Sequence, residues 1–407
     1  RPARVISYDK ESGELVLHNY MDFDDLKDYV KISYELTQDG LVISKDILSE
    51  FSVVPHGEGK TNLKISVPEN GKCYLKLIYH LKKELPLLDE GHILGFDEIE
   101  VSKDDAKCKL AEKWMQKAAV DSELQVNEND TQIHIKGREF AYTIDRRTAL
   151  FTEMKFAGRE YLNHPMELNI WRAPTDNDMY IKAEWKKAHY DKAYTRAYTT
   201  EVVQGKHGVK IVSHASVVAE TVQKILDVTI TWKIDASGKI DADIEATKDG
   251  EFPDLPRFGV RMFLDKKLAD IRYFGMGPQE SYRDKHQAAS HGLYRANVGD
   301  LHEDYIRPQE NGSHYDCEYV ELNNSRYGIV ASAEKAFSFN ASYYTQEELE
   351  KKTHNYELIE SDSVVFCVDY ALNGIGSNSC GPVVLEQYRF DDVLFRFQFT
   401  LIPYVKG

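Results

Sequence analysis

Polar side chains that could bind or transform a ligand are concentrated in four loops. The first loop holds Arg172, Asp176, Asn177 and Asp178. An arginine beside carboxylates can form a bidentate ion pair, and Asp or Asn side chains can bond the amides of a turn. We therefore interpret this loop mainly as one that fastens itself to neighbouring strands, with contact to a sugar or a cation as the alternative.

The second and third loops supply two glutamates. Glu280 lies in the segment 275–284, and Glu310 lies beside Asn311 in the segment 305–312. A retaining glycosidase needs two carboxyl groups about 5–5.5 Å apart, which these two residues could provide. Any two glutamates are a weak signal in a chain with 67 acidic residues. Hydrogen bonding of both glutamates to turn amides is the favoured interpretation, and a catalytic pair is the alternative.

The fourth loop, residues 374–382, is rich in glycine and serine and holds Asn378, Ser379 and Cys380. Small side chains let a backbone approach a ligand closely, so these three residues are candidate substrate contacts. A nucleophilic cysteine needs a base beside it, and no Cys/His signature is present. A small packed thiol that lines a pocket is therefore the favoured interpretation of Cys380.

Strands dominate the pattern that must position these loops. Apolar residues alternate with polar ones at every second position in five clear segments: 30–36, 75–81, 140–144, 228–234 and 240–246. Such alternation is typical of strands with one buried face, and turn residues between them indicate antiparallel sheets. Helical signal is weak at 104–118 and 183–194, and Thr345 with Glu348 forms a capping box.

The chain divides into two predicted domains. Residues 1–104 contain about seven strand candidates, which is the content of one immunoglobulin-like sandwich. A charged segment follows, and we predict a linker at 105–120. Strands then continue over 121–407, which is too long for a simple sandwich and indicates one large β domain.

Composition excludes several classes of partner. The 407 residues carry a formal net charge of −16, so binding to nucleic acid or to an anionic membrane is not expected. No apolar run is long enough for a membrane span. The five cysteines have no zinc or disulfide spacing, which predicts reduced thiols in a cytoplasmic protein and no metal site. Because the chain begins at Arg1 rather than Met, we expect it to be a piece of a longer protein.

Five motifs occur in an order and spacing that resemble a known family: 169–178, 255–259, 275–284, 308–312 and 374–382. They resemble the C-terminal part of the long bacterial β-galactosidases of glycoside hydrolase family two. Residues 1–104 resemble the sandwich domain that follows the catalytic barrel, and residues 121–407 resemble the terminal domain. The resemblance implies an all-β protein in which an immunoglobulin-like β-sandwich precedes a large antiparallel supersandwich of galactose-mutarotase type.

The resemblance also implies a division of labour. The parent enzyme would hydrolyse terminal β-D-galactosides such as lactose with retention, while its catalytic glutamates lie on the barrel, outside this chain. This chain would then have no catalytic residue and no cofactor, although Mg²⁺ and a monovalent cation are expected for the parent. Its expected partners are the galactoside, the barrel region and further copies of the full-length enzyme. The family places a tryptophan, a flat apolar surface for sugar, near the position of Cys380.

Two other classes of function remain open at this point. A free-standing aldose epimerase would need a positioned acid and base, such as His314 with Glu310. A non-catalytic carbohydrate-binding or assembly module would need neither.

Overall fold

The computed structural model describes residues 1–102, 108–115, 123–222, 224–376 and 379–406. The chain separates into two compact units. The first comprises Arg1–Glu112 with His291–Leu293, and the second comprises Lys113–Ser290 with Tyr294–Gly407. The predicted boundaries at 104 and 121 remain predictions, because much of the predicted linker lies outside the described residues.

The first unit is a two-layer antiparallel sandwich. Its described strands are β1 (Ala3–Tyr8), β2 (Glu14–Asn19), β3 (Val30–Gln38), β4 (Leu41–Ile47), β5 (Glu58–Asn62), β6 (Cys73–Leu81) and β7 (Ile93–Glu100), and α1 spans Leu26–Tyr29. One sheet has the order β1-β2-β5 and the other β4-β3-β6-β7. Alternate residues of β6, among them Leu75, Leu77 and Tyr79, are completely buried, as their spacing predicts.

The second unit begins with a small sheet and continues into a much larger one. Its strands are β8 (Gln125–Glu128), β9 (Gln132–Lys136), β10 (Phe140–Asp145), β11 (Leu150–Phe156), β12 (Arg159–Glu160), β13 (Leu162–Asn169), β14 (Tyr194–Gln204), β15 (Gly208–Val218), β16 (Leu226–Asp235), β17 (Ile240–Lys248), β18 (Arg257–Asp265), β19 (Asp270–Gly277), β20 (Ser290–Asn297), β21 (Ser313–Asn323), β22 (Tyr327–Ser342), β23 (Ser363–Leu372) and β24 (Leu394–Val405).

Helices are short and few among the described residues. The remaining α-helices are α2 (Lys109–Met115), α3 (Ile181–Lys187) and α4 (Gln346–Lys351), and single 3₁₀ turns occur at Asp176–Asp178, Tyr190–Lys192, Val298–Leu301, Asn355–Glu357 and Glu386–Tyr388. Part of the weak helical signal at 104–118 corresponds to α2, and the rest of that segment lies outside the described residues. The capping prediction is confirmed, because the Thr345 hydroxyl accepts a hydrogen bond from the Glu348 amide at 3.1 Å.

Two sheets of the second unit share one core. The smaller has the order β12-β11-β10-β9-β8, and the larger follows β13-β18-β23-β22-β24-β17-β16-β15-β14, with β21 also on β22, and β19 bridging β21 and β20. Trp232 of β16 contacts Phe151 of β11 edge to face, with ring centroids 4.9 Å apart. Its indole N–H donates to the Ala149 carbonyl at 2.8 Å, so the ring joins the layers by packing and by a hydrogen bond. The predicted all-β class, a sandwich followed by a large antiparallel supersandwich, is confirmed.

Antiparallel register brings two of the polar loops to the same end of the strands of the large sheet. Asn169 at the end of β13 pairs with Gly259 near the start of β18. Arg257, which opens β18, pairs with Leu372 at the end of β23. The loop that follows β13 and the loop that follows β23 therefore leave the same end of the sheet, on either side of β18.

Candidate functional site

The loop that follows β23 has two parts with different surroundings. We call residues 373–376 the loop root and residues 379–385 the loop tip. The root lies against the polar loops named above, whereas the described part of the tip is largely exposed.

Arg172 is the central side chain of the root and is completely buried. Its Nη2 lies 2.7 Å from Oδ1 of Asp178, and its Nε lies 3.3 Å from Oδ2 of the same carboxylate, which is the predicted bidentate geometry. The guanidinium also donates to the carbonyls of Asn373 and Gly374. A buried cation that is bonded on every side fixes the backbone it touches.

The rest of the first loop completes this arrangement. Asp178 accepts hydrogen bonds from the Thr175 amide at 2.9 Å and the Thr175 hydroxyl at 3.2 Å, which caps the 3₁₀ turn. Asn177 donates to the Ile375 carbonyl at 2.9 Å. Asp176 is exposed and contacts Gln309 through its amide and carboxylate. Three of the four predicted residues therefore support the root, and the fourth faces solvent.

Asp284 also holds the root, through backbone amides. Its carboxylate accepts hydrogen bonds from the Ile375 amide at 3.1 Å and the Gly376 amide at 2.8 Å. Cβ atoms built on Gly374 and Gly376 would lie 2.8 and 3.1 Å from its Oδ2. The glycines therefore allow the backbone to approach this carboxylate closely. Asp284 is not among the site residues predicted from the sequence, although a carboxylate near a glycine-rich loop is a signal for such amide contacts.

The carboxylate of Glu280 is hydrogen-bonded to several groups within the chain. Its carboxylate accepts hydrogen bonds from Lys285, Tyr305, the Tyr282 hydroxyl at 3.3 Å and the Gly312 amide at 2.9 Å. The contact with the Gly312 amide agrees with the interpretation that this glutamate bonds turn amides. It also joins the second polar loop to the third.

Glu310 belongs to a buried charge cluster. Nη2 of Arg257 lies 3.2 Å from a carboxylate oxygen of Glu310 and 3.2 Å from one of Asp369, and all three side chains are buried. Burial raises the pKa of Asp369 to about 7 and also raises that of Glu310, although Arg257 lowers both. The oxygens of Asp369 have no hydrogen bond of satisfactory geometry within the described chain.

The same cluster explains one of the sequence motifs. A Cβ on Gly259 would lie 2.4 Å from Oδ1 of Asp369, so only glycine fits beside this carboxylate. No pattern in the sequence indicated that Arg257 and Asp369 would meet, because the two residues come from different strands.

Asn311 has a local role. Its side chain donates to the Gln309 carbonyl at 2.8 Å and accepts from the Glu303 amide at 3.0 Å.

His314 does not form the acid/base pair that an epimerase would need with Glu310 in the contacts of the described chain. Its Nδ1 lies 3.2 Å from the Met276 carbonyl and 3.2 Å from the Tyr273 hydroxyl. Because a carbonyl only accepts, Nδ1 carries the hydrogen. Burial lowers the pKa of His314 to about 4, so the imidazole is neutral near pH 7.

The loop tip carries the remaining predicted contacts. Ser379 is half-buried and Cys380 is exposed, whereas Asn378 lies outside the described residues. The expectation that Cys380 is a packed thiol is wrong for this chain. Beyond it, a Cβ on Gly381 would have no neighbour within 4 Å, and Val383 and Leu385 are 55% and 62% exposed.

This geometry can present a short segment at a fixed place, and it brings no free pair of carboxylates together among the predicted residues. No cluster of three or more His, Cys, Asp or Glu side chains suited to a metal ion occurs in the described part of the chain. The described helices include none with the length and apolar character needed to cross a membrane.

Comparison with known proteins gives matches over both units. The profile of the β-galactosidase small chain matches residues 136–401, and the profile of β-galactosidase domain 4 matches residues 15–102. A β-galactosidase of Actinobacillus pleuropneumoniae is 42% identical over 404 residues, which are 99% of this chain and 39% of that protein. One of Staphylococcus xylosus is 30% identical over 404 residues, with coverage of 98% and 40%.

The chain thus spans about two fifths of the length of the curated relatives it matches. Among solved structures, a galactose 1-epimerase from Lactobacillus acidophilus NCFM aligns with a TM-score of 0.37 at 9% identity, and the alignment covers 71% of this chain and all of that one.

Proposed function

The chain belongs to the β-galactosidase small-chain family, and on this premise we propose that it is the C-terminal part of a retaining β-galactosidase. The parent enzyme hydrolyses terminal β-D-galactosides such as lactose. In it, the loop tip borders the substrate pocket, and this part of the chain also supports assembly into a homo-oligomer.

The proposal rests mainly on the difference between the hydrogen-bonded root and the exposed tip of the loop that follows β23. Arg172, Asn177 and Asp284 together form hydrogen bonds with the backbone of all four root residues. The amides of Asn373 and Gly374 donate instead to the carbonyls of Pro256 at 3.0 Å and Tyr388 at 2.8 Å. The tip that continues from this anchored root is exposed and made of small or apolar residues. An anchored base below an exposed tip suits a segment that completes a pocket built mainly by another part of the protein.

Retention of configuration needs a nucleophile and an acid/base carboxyl group. Glu280 and Glu310 are each committed to partners inside the chain, which supports a structural role for both. We therefore assign the catalytic pair to the region of the parent that is absent here. Since the described residues hold no cluster suited to a metal ion, we assign Mg²⁺ and the monovalent cation to that region as well.

The state of the cysteines supports a cytoplasmic parent enzyme. The five cysteines form no disulfide within the described residues, and four of them are buried. Free thiols persist most readily where glutathione and thioredoxin keep them reduced.

The test uses the full-length parent enzyme with residues 379–383 replaced by glycines. Loss of one apolar contact of about 1 kcal/mol at the pocket should lower kcat/KM for lactose about fivefold. The matched control replaces Lys206 and His207, in the turn between β14 and β15, by glycines and should leave kcat/KM unchanged. Equal kinetics for both variants and the wild type would remove the loop tip from the pocket.

The 407-residue chain alone separates the remaining alternatives. Purified chain should neither hydrolyse a chromogenic β-galactoside nor accelerate the mutarotation of galactose. Hydrolysis that is lost in Glu280→Gln would instead support a catalytic carboxylate in this chain. Mutarotation that is lost in His314→Gln would support an epimerase.

A further inference from the structure

A cleft in the second unit lies between the segment that follows β19, the strands β21, β22 and β23, and the segment that precedes β24. Its lining includes none of the residues of the loop root or the loop tip. Its volume is about 200 Å³, which at ~30 Å³ for each water molecule gives room for about seven waters. A ligand that fills this cleft therefore has the size of a single sugar ring.

Two tyrosine hydroxyl groups of the lining are open to such a ligand. Tyr315 of β21 and Tyr370 of β23 are both half-buried. Neither phenol oxygen makes a hydrogen bond in the described chain, and both oxygens are reached by solvent. A phenol can donate one hydrogen bond and can also accept one. Each hydroxyl can therefore bond a hydroxyl-bearing ligand that enters from solvent.

Charged side chains lie beside both hydroxyls. Burial raises the pKa of Tyr315 and of Tyr370, and the positive charge of Arg283 opposes this rise at both. Asp392 adds to the rise in the pKa of Tyr370, so its carboxylate also lies close by. Arg283 donates through Nη1 to the Arg389 carbonyl at 2.8 Å, and its other N–H groups have no partner among the described residues. Asp392 is exposed, and its carboxylate accepts no hydrogen bond from the described chain.

The charges of the lining disfavour an ionic ligand. Arg283 is the cation of this lining, and Asp316 and Asp392 are its two acids. An anion would meet this excess of negative charge in a chain whose own net charge is −16. A cation would have to lie beside the guanidinium. A neutral ligand with several hydroxyl groups avoids both costs, because it can accept from Arg283 and donate to Asp392.

Aromatic rings give the cleft an apolar wall. Phe337 is buried and lines the cleft together with Tyr315 and Tyr370. The ring of Tyr370 stacks on Phe395 with centroids 5.1 Å apart, and the ring of Tyr315 stacks on His286 at 5.9 Å. These contacts hold the two rings in place. Flat apolar surfaces beside open hydroxyls suit a sugar, because its ring faces are apolar and its edge carries hydroxyl groups.

We propose that this cleft is a binding site for one neutral sugar ring, with the hydroxyls of Tyr315 and Tyr370 and the carboxylate of Asp392 as its principal hydrogen-bonding groups. The proposal goes beyond the proposed function, since the site needs neither the loop tip nor the catalytic region of the parent enzyme. It would give the chain carbohydrate binding of its own.

The test is calorimetric titration of the 407-residue chain with galactose and with glucose, with glycerol as the small-polyol control. We expect saturable binding of at least one sugar that is tighter than that of glycerol. Tyr315→Phe and Tyr370→Phe each remove a hydroxyl and keep the ring, so each should weaken sugar binding about fivefold, the effect of about one lost hydrogen bond. Asp392→Asn removes a charged acceptor at an exposed position and should weaken sugar binding about tenfold.

The matched control is Tyr356→Phe, which makes the same change at a tyrosine that is 80% exposed and lies outside the cleft. This variant should bind sugar as the wild type does. Weaker binding in at least two of the three cleft variants, with the control unchanged, would support the proposal.

Each other outcome overturns the proposal. Absence of saturable sugar binding does so, as does glycerol binding that is as tight as that of the sugars. Sugar binding that two or more of the cleft variants leave unchanged would place the sugar elsewhere, and an equal loss in Tyr356→Phe would show that the effect is not specific to the cleft. Because the readout is binding by the chain alone, failure here leaves the kinetic test of the loop tip in the parent enzyme unaffected.

Discussion

The loop root and the loop tip are joined in sequence but differ in what holds them. The root contacts Arg172, Asn177 and Asp284 through hydrogen bonds that are mostly buried or part-buried. The tip around Cys380 is exposed. The charged and amide side chains of the polar loops therefore hold the backbone of the root in place. The tip, which is the segment proposed to contact a substrate, has mostly small or apolar side chains.

Substitutions in the root and in the tip should also differ in their effect on the unfolding free energy. Removal of one partner from a buried ion pair costs about 3–5 kcal/mol, because the other charge remains buried. A substitution at an exposed position usually changes stability by less than about 0.5 kcal/mol. Variants of the root should therefore affect the unfolding free energy, and variants of the tip should affect only ligand contacts.

The largest effect is expected for Arg172→Met. The change leaves Asp178 buried without its cation and removes the donors to the carbonyls of the root. Chemical denaturation should show a loss of about 3–5 kcal/mol in unfolding free energy. The control is Arg396→Met, which breaks the more exposed pair with Asp243 and should cost much less, because solvent screens that pair. Similar losses in the two variants would contradict a special role of the root.

The second prediction concerns the buried imidazole of His314. Its native pKa of about 4 lies below the usual value of about 6.5, so the unfolded chain binds more protons in this window. His314 therefore contributes stability that is present above pH 6.5 and is lost as pH falls to 4, by about 3 kcal/mol.

His314→Phe keeps a ring beside Phe339 and removes this titration. As pH falls from 6.5 to 4, the unfolding free energy of the wild type should decrease by about 3 kcal/mol more than that of the variant. Chemical denaturation at each pH measures this difference. The raised pKa of Asp369 has the opposite effect, because the stability that protonated Asp369 contributes is lost as pH rises toward 7. Both proteins contain Asp369, so this contribution cancels in the difference between their unfolding free energies. A difference that stays constant with pH would show that the imidazole does not resist protonation.

A smaller and more local effect is expected for Asp284→Asn. The amide keeps one acceptor oxygen but loses the charge that strengthens both bonds to the root, a loss of about 2 kcal/mol. Hydrogen exchange of the Ile375 and Gly376 amides should then become about thirtyfold faster. The control is Asp249→Asn. The Asp249 carboxylate accepts a hydrogen bond from the exposed amide of Glu251, and its replacement should leave the exchange rates of the Ile375 and Gly376 amides unchanged. Unchanged exchange in Asp284→Asn would mean that the root is held by other bonds.

The smallest effect on stability is expected at the tip. Cys380→Trp should change the unfolding free energy by less than about 0.5 kcal/mol, because the side chain is exposed. In the parent enzyme, the added ring should strengthen acceptor binding or transfer to glucose about fivefold. Cys380→Ser is the control and should leave both the stability and the transfer unchanged. A folded Cys380→Trp variant with unchanged KM and transfer would remove Cys380 from the site.

Local patterns in the sequence predict several of the strands and some short-range contacts of this protein. Alternation at 75–81 and 228–234 predicts strands whose buried faces the structure contains, because side chains on a strand alternate between its two faces. The bidentate pair of Arg172 with Asp178 and the cap formed by Thr345 were also predictable, since their partners lie within a few residues of each other.

Which polar groups meet across long separations in sequence depends on how the strands pair in three dimensions. The approach of Arg257 to Glu310 and Asp369 depends on the register of β18 with β23, and the contacts of Asp284 depend on where two loops leave the sheet. A local pattern does not contain the pairing order of strands, and one residue of slip would turn each of these side chains to the other face. The exposure of Cys380 was likewise decided in three dimensions, because the burial of a small side chain depends on neighbours supplied by other segments of the chain.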